Sequence, residues 1–375
     1  AHIEEVVARF LSLRKRGTNY VACCPFHQEK TGSFNVNPAR NIYKCFGCGK
    51  SGDSISFLME HDHKTYPEAL RFLADMYGIE IEEEELSDEV RARQQERDSM
   101  LKLCAFAQQH FASALTPDQL RPLGLTPEVA STFGLGLKTS DDFAPFALSQ
   151  GYSAAMLALV RLADEEMHDL LPQGLIYPIY SKDGKPISFV SKGERWQFLS
   201  PSSLFDYGRS LFGLYQAKRS LGAKDKCYLL SHFDQVLALH QAGIDNAVAP
   251  CSSSLTAEQL KDIKRFTRNI TFVCSSQMAE RFDATPLFAA GIHLRLVVFP
   301  QGATPLSYAR DHGATALQAL LDEREENFIL YRARTCTTAD SARALLSQVV
   351  DPIERDAYIP LIADLLAIDE EALRR

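Results

Sequence analysis

Apolar positions near the start of the chain repeat with the period of a helix and then change to a strand-like pattern. A helical face begins the chain, with apolar residues at Ile3, Val6, Val7 and Phe10. From residue 20 to residue 48, short apolar pieces are broken by Gly, Pro and Asn, which is typical of a β ribbon with turns. We therefore expect a small β domain that begins with a helix.

The second half of the chain has a more regular pattern. Apolar runs recur at intervals of about 20 to 24 residues, with helical patterns between them, at 227–230, 247–249, 270–274 and 294–299. This alternation predicts βα units on a mainly parallel sheet. Between the two patterned regions, the run from Glu82 to Asp98 is charged and poor in apolar residues, so we place a domain boundary there. From Thr338 onward the pattern is helical to the end.

Composition limits the class of protein. The chain has 375 residues, 46% of them hydrophobic and 23% charged, which excludes a mostly disordered or fibrous protein. The net charge of -8 excludes a uniformly basic surface. No apolar run reaches the ~18 to 20 residues of a membrane span, and the acidic, amphipathic start does not resemble a signal peptide. We expect a cytoplasmic protein with two or three domains and no membrane partner.

Two pairs of metal-binding residues lie in the predicted ribbon. Cys24 and His27 form a C-x2-H pair, and Cys45 and Cys48 form a C-x2-C pair. Zn(II) prefers four N or S ligands in a tetrahedron, and two such pairs joined by a hairpin supply them. We predict a closed, structural zinc site, because all four ligands come from the protein.

The glycines around the second pair allow another interpretation. Gly47, Gly49 and Gly52 fit the G-x-G-x-x-G pattern of dinucleotide-binding loops. No buried strand and βαβ unit flank them, so we assign these glycines to turns around the metal.

Cations and aromatic residues alternate around the zinc pairs. Residues 1–55 contain eight Lys or Arg against four Asp or Glu, a local charge of +4. Single-stranded nucleic acid is held by cations on its phosphates and by rings that stack on its bases. The predicted contacts are Lys30, Phe34, Arg40, Tyr43, Lys44 and Lys50. The alternative is that the rings form the core of this small domain and the lysines its solvated face.

Several motifs together resemble one family. Cys24-Pro-Phe-His27, Ser33-Phe-Asn-Val36 and Tyr43-Lys-Cys-Phe-Gly-Cys48 are similar to the zinc-binding domain of DnaG-type bacterial primases. The segments 175–179, 211–218 and 239–244 resemble the RNA-polymerase core of that family, which has a Toprim fold. The resemblance implies RNA primer synthesis on single-stranded DNA, partners in the replisome, a structural zinc, and Mg(II) or Mn(II) at the Toprim site. The helicase-binding helical domain of the family is absent from these 375 residues.

With this resemblance, the predicted fold is α/β in its core and α+β overall. The predicted domains are a zinc ribbon with flanking helices at 1–84, a charged helical linker at 85–112, an N-terminal core subdomain at 113–224, a degenerate Toprim-like domain at 225–313 and a helical C-terminal subdomain at 314–375.

The acids of the family's catalytic site have no counterparts here. The family's Glu-Gly-Tyr-x-Asp, Asp-Gly-Asp and Asp-Pro-Asp motifs place six acids, and the matching positions are Ser231, Gln235, Ser275, Gln277, Thr304 and Leu306. Hard cations such as Mg(II) need anionic oxygen ligands, and Ser and Gln supply no charge. We therefore predict no catalytic residues, poor binding of Mg(II) or Mn(II), and loss of primer synthesis.

Basic residues of the core remain. Residues 185–226 contain eight Lys or Arg against three Asp or Glu, a local charge of +5. Lys192, Arg195 and Arg209 are therefore predicted contacts for single-stranded DNA.

Two other hypotheses compete with this non-catalytic one. An active primase could hold its metals on substitutes such as Asp234 and Asp283. A hydrolytic site at the adjacent Ser231 and His232, or at Ser275, is disfavoured, because neighbouring side chains on a strand point to opposite faces.

Overall fold

The computed structural model describes residues 1–27, 29, 31–62, 64, 66–79 and 87–374. The chain forms two compact units, residues 1–89 and residues 90–375. Among the described residues, no helix combines the length and apolar character that crossing a membrane requires.

The smaller unit is a five-stranded antiparallel ribbon with helices. Its strands lie in the order β1-β2-β3-β4-β5. Its elements are α1 (Ile3–Ala8), β1 (Arg14–Arg16), β2 (Asn19–Ala22), β3 (Phe34–Asn37), β4 (Ile42–Cys45), β5 (Ser51–Gly52), α2 (Ser54–His61) and α3 (Tyr66–Tyr77). Asp53 caps α2, because its carboxylate accepts a hydrogen bond from the backbone N–H of Ser56 at 2.8 Å.

Aromatic rings form the core of this unit. Phe34 on β3 and Tyr43 on β4 are fully buried, and their rings stack with centroids 5.0 Å apart. Phe57 of α2 packs against both rings. Side chains alternate along a strand, so Asn35 and Lys44 point to the opposite face of the ribbon. The ribbon therefore has one face toward the helices and one toward solvent.

The larger unit begins with helices and a second antiparallel sheet of order β6-β7-β8-β9. Its first elements are α4 (Asp88–Ser113), α5 (Pro117–Leu120), α6 (Pro127–Phe133), β6 (Gly136–Lys138), α7 (Phe143–Ser149), α8 (Ala154–Leu159), β7 (Gly174–Tyr180), β8 (Pro186–Lys192) and β9 (Trp196–Phe198). Lys138 is almost fully buried, and its ammonium lies 3.0 Å from the equally buried carboxylate of Asp169.

The predicted linker at 85–112 differs from this arrangement. Residues 85 and 86 lie outside the described residues, residue 87 precedes α4, and α4 covers the rest. From Met100 onward α4 places side chains in the core at helical spacing, including Leu103, Ala107 and Phe111. This part of the segment is therefore core helix and not linker. The predicted divisions at 224 and 313 remain predictions.

The central sheet has six strands in the order β10-β12-β11-β13-β14-β15. The four inner strands are parallel, and the two edge strands are antiparallel to their neighbours. Its elements are β10 (Leu211–Phe212), α9 (Leu214–Lys224), β11 (Cys227–Leu229), α10 (Phe233–Gln241), β12 (Ala247–Pro250), α11 (Ala257–Ile263), β13 (Asn269–Cys274), α12 (Ser276–Arg281), α13 (Thr285–Ala289), β14 (His293–Val298) and β15 (Glu326–Asn327). The predicted α/β fold with a mainly parallel sheet is confirmed.

Helices complete the unit. They are α14 (Pro305–His312), α15 (Ala314–Arg324), α16 (Phe328–Ala333), α17 (Ala339–Leu346), α18 (Pro352–Leu366) and α19 (Glu371–Arg374). One hydrophobic cluster covers each face of the central sheet. The carboxylate of Glu325, just before β15, joins the sheet through Lys226 at 2.7 Å, Arg295 at 3.1 Å and the hydroxyl of Thr271 at 2.5 Å.

Candidate functional site

The structure brings together the four predicted metal ligands. The ligand atoms of Cys24, His27, Cys45 and Cys48 all lie within 4.8 Å of one another. Cys45 ends β4, and Cys48 follows in the turn that leads to β5. Gly49 has a positive φ of 77°, which a side chain would disfavour, so the glycine allows the chain to turn back.

The geometry of the cluster fits Zn(II). A tetrahedral zinc with Zn–S bonds of about 2.3 Å separates its sulfur ligands by about 3.8 Å. The Sγ atoms of Cys24 and Cys48 are 3.8 Å apart, and the Sγ of Cys45 lies 3.8 Å from Nδ1 of His27. The donor set and its spacing support a structural zinc held by these residues.

Glu29 orients the ligands, and the sequence prediction missed it. Its carboxylate accepts hydrogen bonds from the backbone N–H of Cys24 at 2.7 Å and from the N–H and hydroxyl of Ser33 at 2.9 and 2.5 Å. It also lies 3.2 Å from Nε2 of His27, which leaves Nδ1 directed at the cluster. Carboxylates in this position fix the tautomer of a metal-bound histidine. The available signal was an acid two residues after the histidine ligand.

Hydrogen bonds also favour the thiolate form of Cys45. Burial opposes ionisation, but hydrogen bonds, among them those from the backbone N–H groups of Cys48 and Gly47, lower the pKa of the Cys45 thiol to about 6. The thiolate is the form that binds a metal.

Gly47 allows His27 to approach the second pair of ligands. A Cβ at position 47 would lie only 2.7 Å from Nε2 of His27 and 2.9 Å from the hydroxyl of Ser33. The ribbon that carries these glycines is antiparallel throughout its described strands. It therefore lacks the βαβ unit that a dinucleotide-binding loop requires.

The predicted nucleic-acid contacts of the ribbon divide into two groups. Phe34 and Tyr43 belong to the core, with no exposed surface, so the prediction that they contact nucleic acid is wrong. Because side chains alternate between the two faces of a strand, both rings point toward α2. Arg40, Lys44 and Lys50 are exposed, whereas Lys30 lies outside the described residues.

Phe46, just after β4 of the ribbon, has an exposed aromatic ring. Its side chain is 69% exposed, and the ammonium of Lys44 lies 5.6 Å from its ring centroid. Lys50 is partly engaged, because its ammonium lies 2.8 Å from the carboxylate of Glu60 and 4.5 Å from the ring of Phe26.

The basic residues of the core are placed differently from one another. Arg195 and Arg209 are exposed. Lys192 is half-buried, with its ammonium 3.0 Å from the carboxylate of Asp234 and 4.9 Å from the ring of Trp196. The charge of Lys192 is therefore partly neutralised by Asp234.

The six positions that the family resemblance matches to acids lie after strands of the central sheet. Ser231 follows β11, and Ser275 and Gln277 follow β13, so all three are at the carboxyl edge. Ser275 caps α12 and Thr304 caps α14 through their side-chain oxygens. Gln235 lies within the first turn of α10, and Leu306 packs against the core.

A cavity of about 680 Å³ opens at this edge of the sheet. Ser231 and Gln277 line it, together with Asp283, whose carboxylate accepts a hydrogen bond from the N–H of Thr285 at 3.0 Å. The cavity therefore brings two of these six positions together with one carboxylate.

Known proteins are similar to both units. A family model described as the CHC2 zinc finger matches residues 1–89. A DNA primase of Myxococcus xanthus is 31% identical over 343 residues, 84% of this chain and 56% of that protein, so the chain spans little more than half of that relative's length. The crystal structure of Aquifex aeolicus primase, with its zinc binding and RNA polymerase domains, superposes with a TM-score of 0.65 and 25% identity over 100% of this chain and 96% of that chain. A DnaG primase catalytic domain bound to ssDNA shares the fold over 74% of this chain and 99% of that chain, with a TM-score of 0.63 and 21% identity.

Proposed function

The chain belongs to the DnaG-type bacterial primases, with their zinc-binding and RNA-polymerase regions, and from this premise we propose that it binds single-stranded nucleic acid but has lost metal-dependent primer synthesis. The zinc ribbon and the basic surface of the core supply the binding. Partners in the replisome and a cytoplasmic location are part of the same proposal.

The observation that carries this proposal is the set of neutral side chains that follow the strands at the carboxyl edge of the central sheet. Nucleotidyl transfer by two metals needs carboxylates that hold the cations and steady the transferring phosphate. Ser231, Ser275 and Gln277 occupy this edge in place of acids, and Ser275 uses its hydroxyl to accept the N–H of Met278. These three side chains supply none of the negative charge that offsets metal dehydration.

Nucleic-acid binding is supported by the solvent face of the ribbon. The register aligns Arg14, Val21, Asn35, Lys44 and Ser51 in one row across all five strands. Arg14 and Lys44 lie toward the two sides of this row, with the amide of Asn35 between them. The exposed ring of Phe46 follows β4. Cations that track a backbone beside a ring on which a base stacks suit a single strand.

Loss of synthesis is tested with the purified chain, a single-stranded template, ribonucleotides, and titrations of Mg(II) and Mn(II). We expect no primer above the background of a reaction without protein. A template-dependent RNA product that needs the protein and the metal would overturn the loss of activity.

Binding is tested on the same preparation by fluorescence anisotropy of a labelled single-stranded oligonucleotide. Loss of one stacked base costs about 1 to 3 kcal/mol, so Phe46→Ala should weaken binding about fivefold to a hundredfold. Tyr66→Ala is the matched control, because Tyr66 is an exposed ring (54%) on α3 of the same unit. Equal affinity of the native chain and Phe46→Ala would remove Phe46 from the interface.

A second candidate is an active primase with substitute ligands, favoured by the position of Asp283 in the cavity beside Ser231 and Gln277. Asp234 is the other proposed substitute, and its carboxylate is engaged by Lys192. If any synthesis is detected, Asp283→Asn and Asp234→Asn should abolish it. Unchanged synthesis in both variants would contradict this candidate.

A further inference from the structure

The cavity at the carboxyl edge of the central sheet has the position of a ligand site. Along the chain, β11 is followed by β12 on one side of it and by β13 on the other, so the strand order reverses at β11. Open α/β sheets bind ligands in the crevice outside such a reversal point. Residues that follow β11, β12 and β13 all line the cavity. Its volume of about 680 Å³ lies in the range of small-molecule sites.

One wall of the cavity suits an aromatic ring. Phe272 and Phe282 line it, and their rings stack with centroids 4.3 Å apart. Met278, Pro286 and Leu287 extend this apolar wall. A flat apolar group placed there would leave water and gain contact with rings and a thioether.

The other residues that line the cavity include several polar ones and few acids. Ser231, the three serines 252–254 and Gln277 offer hydroxyl and amide groups. Asp283 is the only carboxylate that lines the cavity among the described residues, and the N–H of Thr285 already engages it. Arg281 is exposed at the rim and forms no ion pair in the part of the chain that the structure describes. The rim therefore offers a guanidinium to an anion.

We propose that this cavity binds a small aromatic anion, a ring that carries a phosphate or carboxylate group, without a divalent cation. The ring packs on the apolar wall, and Arg281 together with the serine hydroxyls receives the anionic group. A site lined by several carboxylates would repel a phosphate unless metal ions lay between them. Because the acid positions are neutral here, no such bridge is needed. The inference rests on the proposed loss of the metal-binding acids.

The probes separate the ring from the charge. Phenyl phosphate and phenylacetate carry both, phenol carries the ring alone, and inorganic phosphate carries the charge alone. Binding to the full chain is measured by isothermal titration calorimetry in EDTA and again with Mg(II). We expect one site that binds phenyl phosphate or phenylacetate at least tenfold more tightly than phenol or inorganic phosphate. The affinity should be the same in EDTA and in Mg(II). Comparison of the two anions identifies the preferred group.

Two variants locate the site. Arg281→Met removes the charge but keeps the length of the side chain. A hydrogen bond to a charged group contributes enough to weaken binding of the anion by about tenfold or more. Arg281→Lys should retain most of the affinity. Arg268→Met is the matched control, since Arg268 is also exposed but precedes β13, at the opposite edge of the sheet.

The proposal is overturned if none of the anions binds, if Arg281→Met binds as tightly as the native chain, or if binding appears only with Mg(II). This last result would also favour the active-primase candidate. If no anion binds either in EDTA or with Mg(II), the proposed loss of synthesis is unaffected, because primer synthesis and oligonucleotide binding are measured separately. Anion binding in EDTA together with the expected absence of primers supports both.

Discussion

Substitution of Glu29 tests how the ribbon holds its zinc. In Glu29→Gln the amide group replaces one carboxylate oxygen. The remaining oxygen can still accept the backbone N–H groups of Cys24 and Ser33. The NH₂ group cannot accept the hydroxyl of Ser33 or a proton on Nε2 of His27, so two of the four contacts are lost.

The expected magnitude follows from these two contacts. Loss of a residue that orients a metal ligand typically lowers metal affinity by about 10- to 100-fold. That range equals about 1.4 to 2.7 kcal/mol, which agrees with two hydrogen bonds of about 1 kcal/mol each. We therefore expect Glu29→Gln to bind Zn(II) about 10- to 100-fold more weakly while its helix content stays native.

The assay is competition for Zn(II) with a chromogenic chelator, with circular dichroism as the check on folding. Glu60→Gln is the matched control. Glu60 lies on α2 of the same unit, and its carboxylate pairs with Lys50 on the surface at 2.8 Å. A zinc affinity of Glu29→Gln within twofold of the native and control proteins would refute the role of Glu29.

Three further predictions concern close packing, a buried ion pair and pH. Gly47→Ala should lower zinc affinity in the same chelator assay, because the added Cβ would lie 2.7 Å from Nε2 of His27; native affinity would contradict this. Lys138→Met should lower the free energy of unfolding in urea by about 3 kcal/mol, because it leaves the buried carboxylate of Asp169 without its cation. A loss below about 1 kcal/mol would show that the backbone N–H groups bound to Asp169 suffice. Burial opposes ionisation of Glu325, but the surrounding donors hold the pKa of its carboxyl below the ordinary 4.5. Its contribution to stability is therefore full above pH 4.5 and is lost as the pH falls below that value, and Glu325→Gln should flatten the acid limb of the melting-temperature profile.

Local patterns were sufficient for the parallel strands of the central sheet. The four apolar runs correspond to β11, β12, β13 and β14, because strands buried on both faces are apolar at nearly every position. The two pairs of metal ligands were equally easy to predict, since the x2 spacing within each pair is a property of neighbouring residues. The alternation of side chains between the two faces of the ribbon was harder to interpret. It leaves open which face points inward, and so Phe34 and Tyr43 were predicted as nucleic-acid contacts, although both rings belong to the core.

The sequence by itself predicted the four zinc ligands, the parallel strands of the central sheet with helices between them, and neutral residues at the six positions that the family resemblance matches to acids. Only the tertiary structure decided which distant groups meet. It placed Glu29 against the zinc ligands, Lys192 against Asp234 across 42 residues of chain, and Arg281 at the rim of a cavity that also contains Ser231. The physical reason is that periodicity reports contacts within one element. Contacts between elements depend on how helices and strands pack, which no local pattern records.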